Sequence, residues 1–315
     1  MSRPLRIAFA GTPEFAMPAL RAALDSGHEL VAVFTQPDRP AGRGRRLTPP
    51  PVKRAAIEAG VPVRQPGNLA VSDLEAAAGP AGLDLLIVVA FGQILPREVL
   101  DYPRQAAINV HGSLLPRWRG AAPIARALLA GDAESGVSVI KMVSAMDAGP
   151  ILLEQRCAIA DDETAATLHD RLAVLGAEAL AKVLQDPPAY LAAAREQDPA
   201  RVTYAARLTR AEGRIDWTRP AISIARAVRA LQPWPWAWTP LEDGPLRILA
   251  AEALSGAGPD HPPGTVLAAG RDGIDVATGD GVLRILRVQP AGRRAMSAAD
   301  FANARRLQGC RLDSD

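Results

Sequence analysis

The chain has 315 residues, 48% of them hydrophobic and 22% charged, with a net charge of +2 at pH 7. These values suit a globular protein of about two domains at roughly 100–200 residues each, and they exclude a disordered or polycationic chain, so a nucleic-acid surface has to be a local patch. Cys157 and Cys310 match no metal or redox spacing, and the apolar run Leu5–Ala10 is far too short for a signal or membrane segment. The expectation is a cytoplasmic, monomeric protein with no metal and no membrane partner.

Short apolar runs alternate with amphipathic stretches through the first half. Leu5–Ala10, Leu30–Thr35, Leu85–Ala90, Ala106–Val110 and Val137–Val143 read as buried strands. Between them, Pro13–Asp25, Pro50–Ala59, Ser72–Ala78, Ala121–Leu129 and Glu163–Leu184 read as helices, several opened by Pro or a small polar cap. This alternation predicts an α/β fold with a mostly parallel sheet. From Asp186 to Arg207 the pattern breaks into Pro, Ala and charge, which reads as a linker. Beyond it come a helix near Ile222–Leu231 and short β-like runs at Leu246–Leu249, Thr265–Ala268, Gly273–Thr278 and Val282–Arg287. Glycines punctuate these runs, as in a small β-barrel.

Chemistry concentrates in Asn109-Val110-His111-Gly112-Ser113-Leu114-Leu115-Pro116-Arg117-Trp118-Arg119-Gly120. Asn109 and His111 are two apart, so a strand projects them from one face, just before a glycine-containing loop. In open α/β sheets the ligand crevice lies at such carboxyl ends. Asp147, in Met146-Asp147-Ala148-Gly149-Pro150, follows the next strand and could reach the same crevice. Together these types suit acyl transfer to an amine. Asn109 and a protonated His111 supply donors for a developing oxyanion, and Asp147 or His111 accepts the proton shed by the amine.

The run Asn109–Pro123 with Met146–Pro150 resembles the folate-dependent formyltransferase family. Matching segments extend over nearly the whole chain. They include Phe9–Pro13, Gln36–Gly44, Val89–Gly92, Ile94–Pro96, Arg214–Trp217, Pro233–Pro235, Gln289–Gly292 and Ala295–Ser297. The resemblance implies that Asn109, His111 and Asp147 form the catalytic trio. It implies that Ser113, Leu114, Leu115 and Pro116 contact the folate, and that Phe91, Gly92, Ile94 and Leu95 line the pterin pocket. It further implies a Rossmann-like catalytic domain over 1–186, a linker over 187–207 and an OB-like tRNA-binding domain over 208–315. The donor would be 10-formyltetrahydrofolate, and the acceptor the initiator methionyl-tRNA.

Arg39, Arg43, Arg45 and Arg46 crowd one glycine-rich stretch. A solvated loop accounts for them, but the resemblance favours an arm that grips tRNA phosphate. Between Gly281 and Arg311 stand Arg284, Arg287, Arg293, Arg294, Arg305, Arg306 and Arg311, against Asp300 alone, which suits a phosphate-tracking face through Arg293 and Arg294. Trp234, Trp236 and Trp238, set among prolines, read as packing at a domain interface rather than as base-stacking platforms. A nicotinamide-dependent dehydrogenase is disfavoured, since Gly11-Thr12-Pro13 offers one glycine where a pyrophosphate loop needs three. A non-catalytic RNA-binding protein has no use for the trio. Within the family, the alternative is a formyltransferase for a small amine such as a nucleotide sugar. The arginine loop and a C-terminal domain of about 100 residues favour a large anionic acceptor instead.

Overall fold

The computed structural model describes residues 3–41, 46–255, 261–303 and 305–312. The chain divides into two compact units. Unit 1 comprises 1–123, 134–158 and 169–205; unit 2 comprises 124–133, 159–168 and 206–315.

Unit 1 is built on a seven-stranded sheet. Its strands are β1 (Arg6–Gly11), β2 (Glu29–Phe34), β3 (Val63–Arg64), β4 (Leu85–Val89), β5 (Ala106–His111), β6 (Glu134–Lys141) and β7 (Ile151–Ala158). They lie in the order β7-β6-β5-β4-β1-β2-β3. The five strands from β5 to β3 are mutually parallel, whereas β6 runs antiparallel to both β5 and β7. All five residues of β4 are buried, as a strand covered on both faces requires. Ala8, Phe34, Leu74, Leu86, Val99 and Ala107 share one core cluster, which seals the sheet against the helices Val71–Ala78 and Arg97–Asp101. Helix Met17–Leu24 follows β1 through a 3-10 turn at Glu14–Ala16, so the helix expected from Pro13 starts later. β7 lacks any counterpart among the expected strands, because Cys157, Gln155 and Glu154 interrupt its apolar pattern.

The stretch read as a linker is ordered against this unit up to Ala205. It begins with helix Pro187–Ala192, capped by the Asp186 side chain, and continues through an isolated bridge from Arg195 to Ile151. At its end Tyr204–Ala205 pairs in parallel with Arg119–Gly120.

Unit 2 carries an antiparallel sheet of β8 (Ala237–Thr239), β9 (Leu246–Leu254), β10 (Val266–Gly270), β11 (Gly273–Ala277), β12 (Val282–Gln289) and β13 (Met296–Ser297). The pairing order is β8-β9-β12-β11-β10, with β13 on β12. Helix Ala221–Ala230 buries Ile224, Ala225 and Val228 in a core shared with Trp217, Ile248, Ile285 and Phe301. Two short segments, 124–133 and 159–168, also belong to this unit. Arg126 reaches the Ala206 carbonyl and the Glu212 carboxylate, and Arg229 donates to the Glu163 carbonyl. The Arg126 guanidinium holds the Glu212 carboxyl below the ordinary glutamate range, with help from Thr209.

Trp234, Trp236 and Trp238 remain partly exposed within unit 2, Trp234 at 53%. The Arg247 guanidinium stacks over Trp236, and Trp238 lies against Gly213. Among the described residues, no helix is long and apolar enough to cross a membrane, and no group of three His, Cys, Asp or Glu side chains could hold a metal ion.

Candidate active site

Asn109 and His111 alternate with Ile108 and Val110 along β5, so the two pairs face opposite sides of the sheet. Helix Ala165–Gln185 covers the Val110 side. A Cβ added at Gly176 would stand 2.8 Å from Val110 Cγ1, so glycine lets the helix lie close to the strands. Asn109 and His111 therefore project from the other side. His111 is only 7% exposed, and its Nε2 donates to the Trp118 carbonyl at 2.9 Å. Among the described residues, the half-buried Asn109 carboxamide makes no hydrogen bond to another protein group.

Asp147 arrives by a route that the strand pattern does not suggest. The sequence places it at a strand end beside that of β5. Because β6 is antiparallel to β5, pairing Lys141 with Ile108 and Ser138 with His111, its carboxyl end points the other way. Loop 142–150 then returns and brings Asp147 Oδ2 to 3.6 Å from His111 Nδ1. That is an ion-pair distance, too long for a hydrogen bond. The same oxygen accepts the Gly120 backbone N–H at 2.8 Å. Since Nε2 faces a carbonyl and Nδ1 faces a carboxylate, both ring nitrogens look at acceptors.

Asp147 has a backbone φ of 50°, in the left-handed region that costs an L-residue about 1–2 kcal/mol and that Asp tolerates better than most. Its surroundings hold it there. Gly149 passes so close to Lys141 that an added Cβ would sit 1.7 Å from that carbonyl oxygen. Gln197 Nε2 donates to the carbonyls of Asp147 and Gly149, both at 2.7 Å. The opposing loop is fixed as firmly. Ser113 Oγ donates to the Arg117 carbonyl at 2.6 Å, and Ser138 Oγ joins the Ser113 carbonyl to the Leu115 amide. Trp118, with φ 64°, donates its N–H to Thr203 Oγ1, and Arg119 N–H meets the Thr203 carbonyl. Gln197 and Thr203 were missed by sequence reasoning. They are isolated polar residues in a stretch without periodicity, and only tertiary contact reveals their use.

The order of strands reverses between β1 and β4, and ligands favour that crevice in open α/β sheets. There Thr12 Oγ1 donates to the Phe91 carbonyl at 3.0 Å, tying the loop after β1 to the loop after β4. Phe91 and Leu95 are buried, Gly92 takes a φ of 85°, and Ile94 is 98% exposed. Ile94 thus stands at the surface while its neighbours support the loop. Ser113 and Leu115 are buried, and Leu114 and Pro116 are half-buried on the loop after β5.

Arg39 and Arg46 are exposed on a two-stranded ribbon of Arg39–Ala41 and Arg46–Thr48; Arg43 and Arg45 lie outside the described residues. At the base of the ribbon, Lys53 and Gln65 bond Asp38, and the ammonium foremost holds that carboxyl below the usual aspartate range. Arg293 and Arg294 are exposed in the turn after β12. The basic face is less charged than its sequence suggests, because Arg284 pairs with Asp275 and Arg305 with Asp243.

Known families match both halves of the chain. The formyl transferase model matches residues 5–184, and the formyl transferase C-terminal domain model matches residues 207–306. The chain belongs to the formyl transferase family. Similar relatives carry a narrower name: the methionyl-tRNA formyltransferase of Methylococcus capsulatus is 53% identical over 98% of this chain and 99% of its own. That of Idiomarina loihiensis is 49% identical over 95% of this chain and 96% of its own. Among solved structures, the sugar 3N-formyl transferase WlaRD superposes with a TM-score of 0.65 at 15% identity, covering 93% of this chain and all of that one. HypX from Aquifex aeolicus in complex with tetrahydrofolic acid gives 0.61 at 16% identity, over 95% of this chain and 47% of that one. These two likenesses concern the fold.

Proposed function

We propose that the protein transfers a formyl group from 10-formyltetrahydrofolate to the free amino group of initiator methionyl-tRNA. The observation that carries this reading is the placing of Asp147 Oδ2 beside His111 Nδ1, with Asn109 on the same strand face, in a chain so similar to methionyl-tRNA formyltransferases along its length. Attack of the amino nitrogen on the formyl carbon forms the new C–N bond. The oxygen of that carbon gains charge, and the bond to the folate nitrogen then breaks. The Asn109 N–H stabilises the oxygen, and a protonated His111 adds positive charge nearby. Asp147 and His111 carry the proton that leaves the amine, directly or through water, and the folate nitrogen gains a proton as it departs. Phe91, Gly92, Ile94 and Leu95, at the strand-order reversal, form the pterin side, and the loop Ser113–Pro116 holds the rest of the folate.

In this reading the C-terminal domain, from about residue 208, is an OB-like module that binds tRNA. Arg39, Arg43, Arg45, Arg46, Arg293 and Arg294 meet phosphate, and the enzyme works as a cytoplasmic monomer. Arg293 and Arg294 suit that role because both are exposed and lie in a turn, where side chains can follow a curved backbone. The test is incubation with labelled 10-formyltetrahydrofolate, several charged tRNAs and an amino-sugar nucleotide. Label is expected on methionyl-tRNA; label on the amino sugar instead would favour the small-amine reading.

A further inference from the structure

Gln197 lies 50 positions from Asp147, in the stretch whose sequence reads as a linker. Both N–H groups of its side-chain amide are used, one on the Asp147 carbonyl and one on the Gly149 carbonyl, each at 2.7 Å. Its Oε1 accepts from Arg119 Nε and Nη2 at 3.0 and 2.7 Å. An amide with two donors spent on carbonyls and its oxygen spent on a guanidinium has one orientation. Arg119 precedes Gly120, whose N–H holds the Asp147 carboxylate at 2.8 Å. The contacts close a ring: Gln197 to the Asp147 main chain, through the Asp147 carboxylate to Gly120, along the backbone to Arg119, and back to Gln197. Asp147 stands in that ring with φ 50°, a conformation that persists only where neighbours over-determine it.

We propose that Gln197 is a positioning residue for formyl transfer. Its amide sets the distance between Asp147 and His111 by clamping the carbonyls of Asp147 and Gly149 to the Arg119 side chain. The inference rests on Asp147 being catalytic, so its test separates the two ideas. Gln197→Glu keeps an acceptor for Arg119 but sets carboxylate oxygens against the two carbonyls, removing the clamp alone. Gln197→Met has similar length and no donor, and it carries the same test should the first variant not fold.

Turnover by purified full-length protein should fall about 10–10²-fold in either variant, because small misplacements of a reacting group act on that scale. KM for folate and for tRNA should stay within about twofold, and the lost bonds to the two carbonyls should lower the melting temperature by only about a few degrees, leaving the protein folded at the assay temperature. On an Asp147→Asn background the same change should cost nothing more, since the residue it positions is already disabled. A merely structural Gln197 would impose its loss on both backgrounds. Full turnover in both Gln197 variants, or equal losses on both backgrounds, overturns the proposal. Near-normal turnover of Asp147→Asn alone would remove Asp147 from the chemistry, and this inference with it, without reference to Gln197.

Discussion

In the proposed reaction, Asn109 and His111 differ in what they can give to a developing oxyanion. Asn109 has uncommitted N–H groups among the described residues, whereas His111 already spends Nε2 on the Trp118 carbonyl. Asn109→Ala should therefore lose on the order of 10²–10³ in turnover, the usual cost of one oxyanion donor, with folate binding barely changed. His111→Ala should fall by a similar factor through loss of the proposed proton carrier. Single-turnover assays beside equilibrium folate titration separate these effects; near-normal turnover in both variants would take the trio out of the mechanism.

At the level of elements, the loops around β5 and β6 are held by close approach rather than by bulk. Gly149→Ala would drive a methyl group into the Lys141 carbonyl, a clash that overpacking data place at about 1–3 kcal/mol. Thermal unfolding should show that loss, and turnover should fall further than stability alone explains, because Asp147 moves with the loop. In unit 2, Glu212 joins Arg126 to Thr209, linking segments 124–133 and 206–213. Glu212→Gln should cost about 1 kcal/mol at pH 7, a charge-assisted bond discounted for partial exposure. The folded carboxyl titrates below its ordinary value of 4.5, so this contribution is complete above that pH. It is lost as the pH falls through the lowered folded value. Denaturant melts of both proteins should therefore converge in acid, and a difference that grew below pH 4 would contradict the assignment.

For the whole molecule, the net charge of +2 means that attraction to tRNA has to come from arginines in particular places. Binding should weaken steeply and log-linearly with salt, as for any protein that releases counterions from phosphates. Arg43→Ala should reduce use of tRNA while leaving slow formylation of a small amine analogue intact. Parallel loss of both activities would make that stretch structural. Arg293→Ala with Arg294→Ala should flatten the salt slope, whereas Arg284→Ala should leave it unchanged, because Asp275 already neutralises that guanidinium.

Much of this was legible in the amino acids alone. Short apolar runs located β1, β2, β4, β5 and β6 to within a few residues, because strands buried on both faces leave an unbroken hydrophobic trace. The two-residue spacing of Asn109 and His111 gave their common face directly, since a strand's side-chain period is a local property. The direction of β6 was not legible: pairing sense is set by which neighbour supplies hydrogen bonds, and no local pattern records it. Nor were β7, the docking of residues 187–205, or the clamp from Gln197 to Asp147. Each depends on residues dozens of positions apart meeting in space, and a polar side chain carries no mark of its distant partner. Local periodicity determined the elements and the chemistry on offer, and long-range contact alone decided how Asp147 comes to rest against His111.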